Sequence, residues 1–164
     1  MSQLSAPPIK IEKAGLASGS LLEALHAAAF YQPGDETWTA RAFSDVLNAI
    51  GSFCLVAIHQ QADAQDPCGF AACRVRVQEA ELLSLGVTPS FRHQGIAKLL
   101  IERVAAGCRQ MGARNLFLEV AEDNPHAQQL YLSIGFDEVG TRKDYYQRLN
   151  NQRVNAQTMR LVLD

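Results

Sequence analysis

Residues 81–111 read ELLSLGVTPSFRHQGIAKLLIERVAAGCRQM, and the hydrophobic period changes partway through them. The first part, 82–87, is a short apolar run ended by Thr88-Pro89, which suits a buried strand. The second part sets Ile96, Leu99, Leu100, Val104, Cys108 and Met111 on one helical face, with Lys98, Glu102, Arg103 and Arg109 off it. Gly112 follows, where a helix C-terminus favours glycine. Between strand and helix lies RHQGIA, residues 92–97. A strand that enters a helix through a tight glycine turn leaves several backbone N–H groups unpaired at the positive end of the helix dipole. Such a turn binds anions, and a pyrophosphate is its natural guest. Gly95 and Ala97 are small enough to let a ligand near the backbone. The turn is neither a Walker loop, which ends in G-K-[ST], nor a dinucleotide G-x-G-x-x-G.

Bulk properties narrow the class. A chain of 164 residues fits one domain with a proper core, expected to span 1–164 with a flexible start over 1–8. With 48% hydrophobic and 20% charged residues, the composition is that of a globular protein rather than a disordered or membrane one. A net charge of −2 argues against nucleic acid as the main partner. No apolar run approaches the length of a membrane span, and the first residues lack a cationic start followed by an apolar stretch. The cysteines, at 54, 68, 73 and 108, show no C-x-x-C and no paired histidine spacing. They read as reduced thiols in core positions, which predicts a cytoplasmic protein with no metal. His26, His59 and His126 read as ordinary surface or helix residues.

In chain order, 9–13 alternates as a first strand. Ser20-Leu21-Leu22-Glu23 has the pattern of a capping box and opens a helix to Phe30, before Pro33-Gly34. A second helix starts at Trp38-Thr39, with Phe43, Val46, Leu47 and Ile50 on one face and Gly51 closing it. Strands follow over 53–58 and 68–77, joined by a polar segment, 59–67, that reads as a long mobile loop. Beyond the central helix, 115–120 alternates, with Leu116, Leu118 and Val120 on one face and Phe117 and Glu119 on the other. Asn124-Pro125 is a well-formed helix start; Ala127, Leu130, Tyr131 and Ile134 follow at helical spacing, and Gly135 ends the helix. Two last strands, 136–141 and 158–163, flank a loop rich in Asn, Gln and Arg. The order is an antiparallel meander, then strand–helix–strand–helix–strand. This is α+β with part of the sheet parallel.

Four features then occur in one order: strand–RHQGIA–helix, the strand LFLEV, NPHAQQLY, and Gly135-Phe136. Together they resemble the Gcn5-related N-acetyltransferase superfamily over about 9–163. The resemblance implies a mixed, mostly antiparallel sheet of about seven strands, splayed at its central parallel pair and flanked by about four helices. Several residues point further, toward the ribosomal-protein alanine N-acetyltransferases. They are the glutamate of LEV twelve residues before the tyrosine of QLY, the late RKDYY, the C-terminal AQTMRL, and Trp38-Thr39 followed by Phe43. His93 and Ala97 depart from the commoner residues of the phosphate turn, as Ser84 does in the central strand.

The resemblance implies acetyl-CoA as cosubstrate and the amine of a ribosomal protein's N-terminal alanine as acceptor. It also implies a monomer or weak dimer with no direct role for nucleic acid or membrane. Leu85, Gly86 and Val87 would mark a bulge of the central strand whose backbone holds the pantetheine arm and polarises the acetyl oxygen. His93, Gln94, Gly95, Ile96, Ala97 and Lys98 would cradle the pyrophosphate, and Asn124 would reach the pantetheine. Glu119 would be the general base for an α-amine, whose ordinary pKa of about 7.7–8.0 leaves it mostly protonated at neutral pH. Partial burial beside Phe117 would suit the carboxylate to that task. Tyr131 would be the acid for the departing thiolate. Tyr145 and Tyr146 read equally as a peptide entrance or as surface packing. The alternatives are an acetyltransferase for another N-terminus, a lysine or a small amine, and a non-catalytic module that binds acyl-CoA or acts as a scaffold.

Overall fold

The computed structural model describes residues 8–32 and 34–164, so most of the start expected to be flexible, and Pro33, lie outside the described residues. The elements are β1 (Ile9–Lys13), α1 (Gly19–Ala29), α2 (Ala40–Asn48), β2 (Ser52–Gln61), β3 (Ala64–Arg76), β4 (Glu79–Val87), α3 (Ile96–Gln110), β5 (Asn115–Ala121), α4 (Pro125–Ile134), β6 (Asp137–Gln147) and β7 (Arg153–Val162). The seven strands form one sheet in the order β1-β2-β3-β4-β5-β7-β6. The first four pair antiparallel in chain order; short turns join β2, β3 and β4, while α1 and α2 fill the connection from β1 to β2. The β4–α3–β5 crossover carries the chain back to the same end of the sheet, so β4 and β5 pair in parallel. β7 returns between β5 and β6, antiparallel to both.

Side-chain alternation builds two cores, one on each face of the sheet. Leu116, Leu118 and Val120 of β5 join Ile96, Leu100, Val104 and Cys108 of α3 on one face, where Leu130 and Ile134 of α4 also pack. On the other face Phe70 and Ala72 of β3 meet Leu22, Leu25 and Ala29 of α1 and Phe43 of α2. All four cysteines are free and buried in these cores, with the Sγ atoms of Cys73 and Cys108 3.4 Å apart.

Several expectations are corrected. The segment 59–67 is no loop; β2 and β3 run on as a hairpin, pairing His59 with Asp66 and Gln61 with Ala64. Past His59 its polar residues are largely exposed, so they lengthen the ladder without an apolar pattern to announce it. The capping box at Ser20 does not form. The N-cap of α1 is Ser18, and Glu23 instead accepts the Ala40 N–H at 2.6 Å, serving the start of α2 beside the Thr39 side chain. On α2, Ile50 is fully exposed, because the helix has already ended at Asn48. On α3, Leu99 and Met111 are exposed while Ile101 and Ala105 are buried, a stripe rotated by less than one residue from the one expected. β6 and β7 are longer than expected and leave only a short turn at 148–152.

The bulge in β4 also lies elsewhere. Ala72 pairs with Ser84 and Cys73 with Leu82, which leaves Leu83, rather than 85–87, as the extra residue. An extra residue bends a strand and increases its twist. β4 pairs with β5 only at Glu79, Ala80 and Glu81, and the two strands part immediately before the bulge.

Candidate active site

Beyond Glu81 and Phe117, the facing edges of β4 and β5 have no ladder partners, so backbone donors and acceptors are turned into the gap. The gap is a cleft of about 250 Å³ that passes through the sheet. Ser84 and Leu85 line it from β4, Glu119 and Ala121 from β5, and Asn124, Ala127 and Tyr131 from the start of α4. His26 of α1, Phe30 just past its end, Trp38, Tyr146 of β6 and Arg148 just beyond that strand close its other mouth. Of the residues expected from the sequence, Leu85, Glu119, Asn124 and Tyr131 are thus brought together on its walls. The turn 93–98, Gly86 and Val87 lie outside that lining.

Glu119 points off the apolar face of β5, as alternation requires, with its side chain 17% exposed. Its Oε1 lies 2.7 Å from Nε of Arg142 on β6, a partner that strand spacing gave no way to assign. The Tyr146 hydroxyl donates to the Glu119 backbone carbonyl at 3.4 Å. Burial, then the Glu119 carboxylate beside it, pushes the Tyr145 phenol above its ordinary value. Tyr145 is half exposed and stacks edge-on against Tyr146, which lines the cleft.

Tyr131 presents its phenol to the same cleft, with its ring 5.7 Å from Phe136. Burial first, and the Tyr146 phenol second, push its pKa up to about 12. The Asn124 side chain accepts the Ala127 N–H at 3.2 Å, so its carbonyl oxygen caps α4. Arg148 grips Asp123 through two bonds of 2.9 and 2.7 Å, joining the end of β6 to the segment before α4. The guanidinium holds the Asp123 carboxyl below the usual carboxylate range.

The turn before α3 has the character of an anion cradle. Among the described residues, the backbone N–H groups of 93–98 meet no hydrogen-bond acceptor. Gly95 is left-handed, with φ 80°, and a Cβ there would meet nothing within 4 Å, so the turn is uncrowded at that residue. No acidic residue occupies the first turn of α3, and Lys98 is exposed while the Ile96 side chain is core. The donor set therefore fits a pyrophosphate. Arg92, at the head of the motif, turns elsewhere: it donates to the Ala29 carbonyl at 2.7 Å and the Val87 carbonyl at 3.1 Å, tying the end of α1 to the end of β4. Gly86 serves packing, since a Cβ there would lie 2.7 Å from both Ala29 and Phe70.

His126 is an exposed residue of α4, but His26 and His59 are not surface residues. His26 is 3% exposed, stacked on Phe30 at 4.5 Å and flanked by Trp38, Phe43 and Phe70. Burial lowers its pKa, against the opposing pull of Asp35. His59 is also buried, against Phe91. The signal for His26 was present, because Leu22, Leu25, His26 and Ala29 fall at helical spacing on one face. Among the described residues there is no group of His, Cys, Asp and Glu that could hold a metal, and no helix long and apolar enough to cross a membrane.

The Acetyltransferase (GNAT) family profile matches residues 20–136. A ribosomal protein bS18-alanine N-acetyltransferase of Haemophilus ducreyi is 40% identical over 94 residues, 57% of this chain and 65% of that protein. The match therefore spans just under two thirds of that relative's length. The crystal structure of the ribosomal-protein-S18-alanine N-acetyltransferase from Escherichia coli superposes with a TM-score of 0.81 at 24% identity, covering 96% of this chain and 95% of that one. Arabidopsis thaliana NAA60 in complex with acetyl-CoA superposes with a TM-score of 0.79 at 21% identity, over 95% of this chain and 99% of that one. At these identities the two structures share the fold.

Proposed function

Because this chain belongs to the acetyltransferase (GNAT) family, we propose that it is an acetyl-CoA-dependent N-acetyltransferase acting in the cytoplasm on the N-terminal alanine of a small-subunit ribosomal protein. The observation that carries the reading is the through-sheet cleft with a carboxylate and a phenol on its walls. The choice of acceptor is supported by the 40% identity to the bS18-alanine N-acetyltransferase.

The N–H groups of residues 93–98 would hold the pyrophosphate, and Leu85, Gly86, Val87 and Asn124 would hold the pantetheine arm. Acetyl-CoA supplies an acetyl group activated as a thioester. Glu119 takes the proton from the acceptor's ammonium, an amine whose ordinary pKa of about 7.7–8.0 leaves it largely charged at neutral pH. Tyr131, its phenol pushed up to about 12, keeps its proton at neutral pH and offers it to the departing sulfur. Backbone donors freed where β4 leaves β5 would face the acyl oxygen.

The test is thiol release from acetyl-CoA, with mass readout, on a peptide bearing the ribosomal protein's Ala N-terminus and on a copy blocked at that amine. Single acetylation of the free peptide alone is expected. Acetylation of both would move the acceptor to a lysine. Tight acetyl-CoA binding without turnover would make the chain a non-catalytic acyl-CoA module.

A further inference from the structure

A second concavity, of about 270 Å³, lies on the α1/α2 face of the sheet and shares Glu119 with the cleft. Its floor is largely apolar, and its rim carries the charged side chains of Arg76, Glu79, Glu81 and Arg142. Glu119 therefore stands at the junction of two spaces, and Arg142 reaches its carboxylate from the trough side.

Resting on the functional reading above, we propose that Arg142 is a latch on Glu119: the acceptor's ammonium displaces it, and the guanidinium swings into the solvent that already surrounds most of its side chain. The pair is lopsided. Arg142 is 62% exposed while Glu119 is 17% exposed, so the guanidinium stands in water and the carboxylate in the cleft wall. An ammonium and a guanidinium compete for the same oxygens, and a base engaged by Arg142 is not free for an incoming amine.

The arm is built to move. β6 is the outer edge of the sheet, and all of its residues except Tyr146 are exposed. Its ladder with β7 loses register between Arg142 and Tyr146, where Asp144 has φ 53°. Short of that break, the guanidinium rests 5.5 Å from the Tyr145 ring centroid, a face that can carry a cation in more than one place. Arg142 acts through Glu119 and is a positioning residue.

Steady-state kinetics on the Ala-terminated peptide separate the latch from a passive surface pair. Arg142→Gln should lower the peptide's KM about 3- to 5-fold, the upper range of what an ion pair with one exposed arm is worth, with kcat changed less than about twofold. Arg142→Lys should restore the original KM, because the charge returns. The KM of acetyl-CoA should move in neither variant. An unchanged peptide KM in Arg142→Gln overturns the latch, as does a raised KM with a fallen kcat, which would make Arg142 an acceptor-binding group. Absence of peptide turnover in the unmodified protein would sink the functional reading and the latch together; turnover with an indifferent Arg142→Gln sinks the latch alone.

Discussion

At the scale of the residue, the reading rests on two side chains with opposite tasks. Replacing Glu119 by Gln removes the proposed proton acceptor and keeps the shape. Turnover should fall by at least about 100-fold, the contribution expected of a general base, while calorimetric affinity for acetyl-CoA stays near the original. Equal loss of both quantities would mean that Glu119 holds the wall together. Tyr131→Phe keeps the ring against Phe136 and removes the proton. The single-turnover rate should drop about tenfold or more, and an unchanged rate would remove the phenol as the acid. Since its pKa is pushed up to about 12, Tyr131 keeps its proton through the neutral and mildly alkaline range. Any alkaline fall in rate there must come from another group. Both residues were visible in the sequence, at one face of a strand and one turn of a helix. Arg142 as the partner of Glu119 was not, because its approach depends on how β7 inserts between β5 and β6.

At the scale of the element, the site depends on how closely α1 can approach β4. Gly86 permits that contact, and Arg92 fastens its end by donating to Ala29 and Val87. A methyl group at Gly86 would meet Ala29 and Phe70 at 2.7 Å, so α1 would have to move with His26 and Phe30, which line the cleft. Gly86→Ala should cost about 1–3 kcal/mol, as overpacked cores do. Thermal denaturation should show it as a loss of about 2–4 °C per kcal/mol for a chain of this size. A melting temperature within a degree of the original would show that α1 yields freely. The start of α4 was legible where apolar periodicity met a cap, at Asn124-Pro125. Element limits failed in polar stretches: the 59–67 hairpin is held by cross-strand backbone bonds, and side-chain patterning does not record those.

At the scale of the whole molecule, His26 links stability to pH. Burial among Phe30, Trp38, Phe43 and Phe70 lowers its pKa from 6.5, so the folded chain holds a neutral imidazole where the unfolded chain takes up a proton. The unfolded state then binds more protons below its own pKa. Stability is fully present above about 6.5 and falls as pH drops from there toward the lowered folded value. His26→Phe, which keeps an aromatic ring in the cluster, should flatten that part of the profile in urea titrations across mildly acidic pH. An unaltered slope would assign it to other groups.

The sequence by itself determined the order of elements, the α+β class, the glycine turn before the central helix, and the two faces of the strand that carries Glu119. These follow from period, caps and turn residues, which act between neighbours along the chain. The tertiary structure decided which edge each strand pairs with, where β4 leaves β5, and which groups meet across the cleft. Leu83 bulges because of its register against Ala72 and Cys73, and Arg142 meets Glu119 because β7 carries β6 to the outer edge. Such contacts join residues far apart in sequence, and no local pattern specifies them.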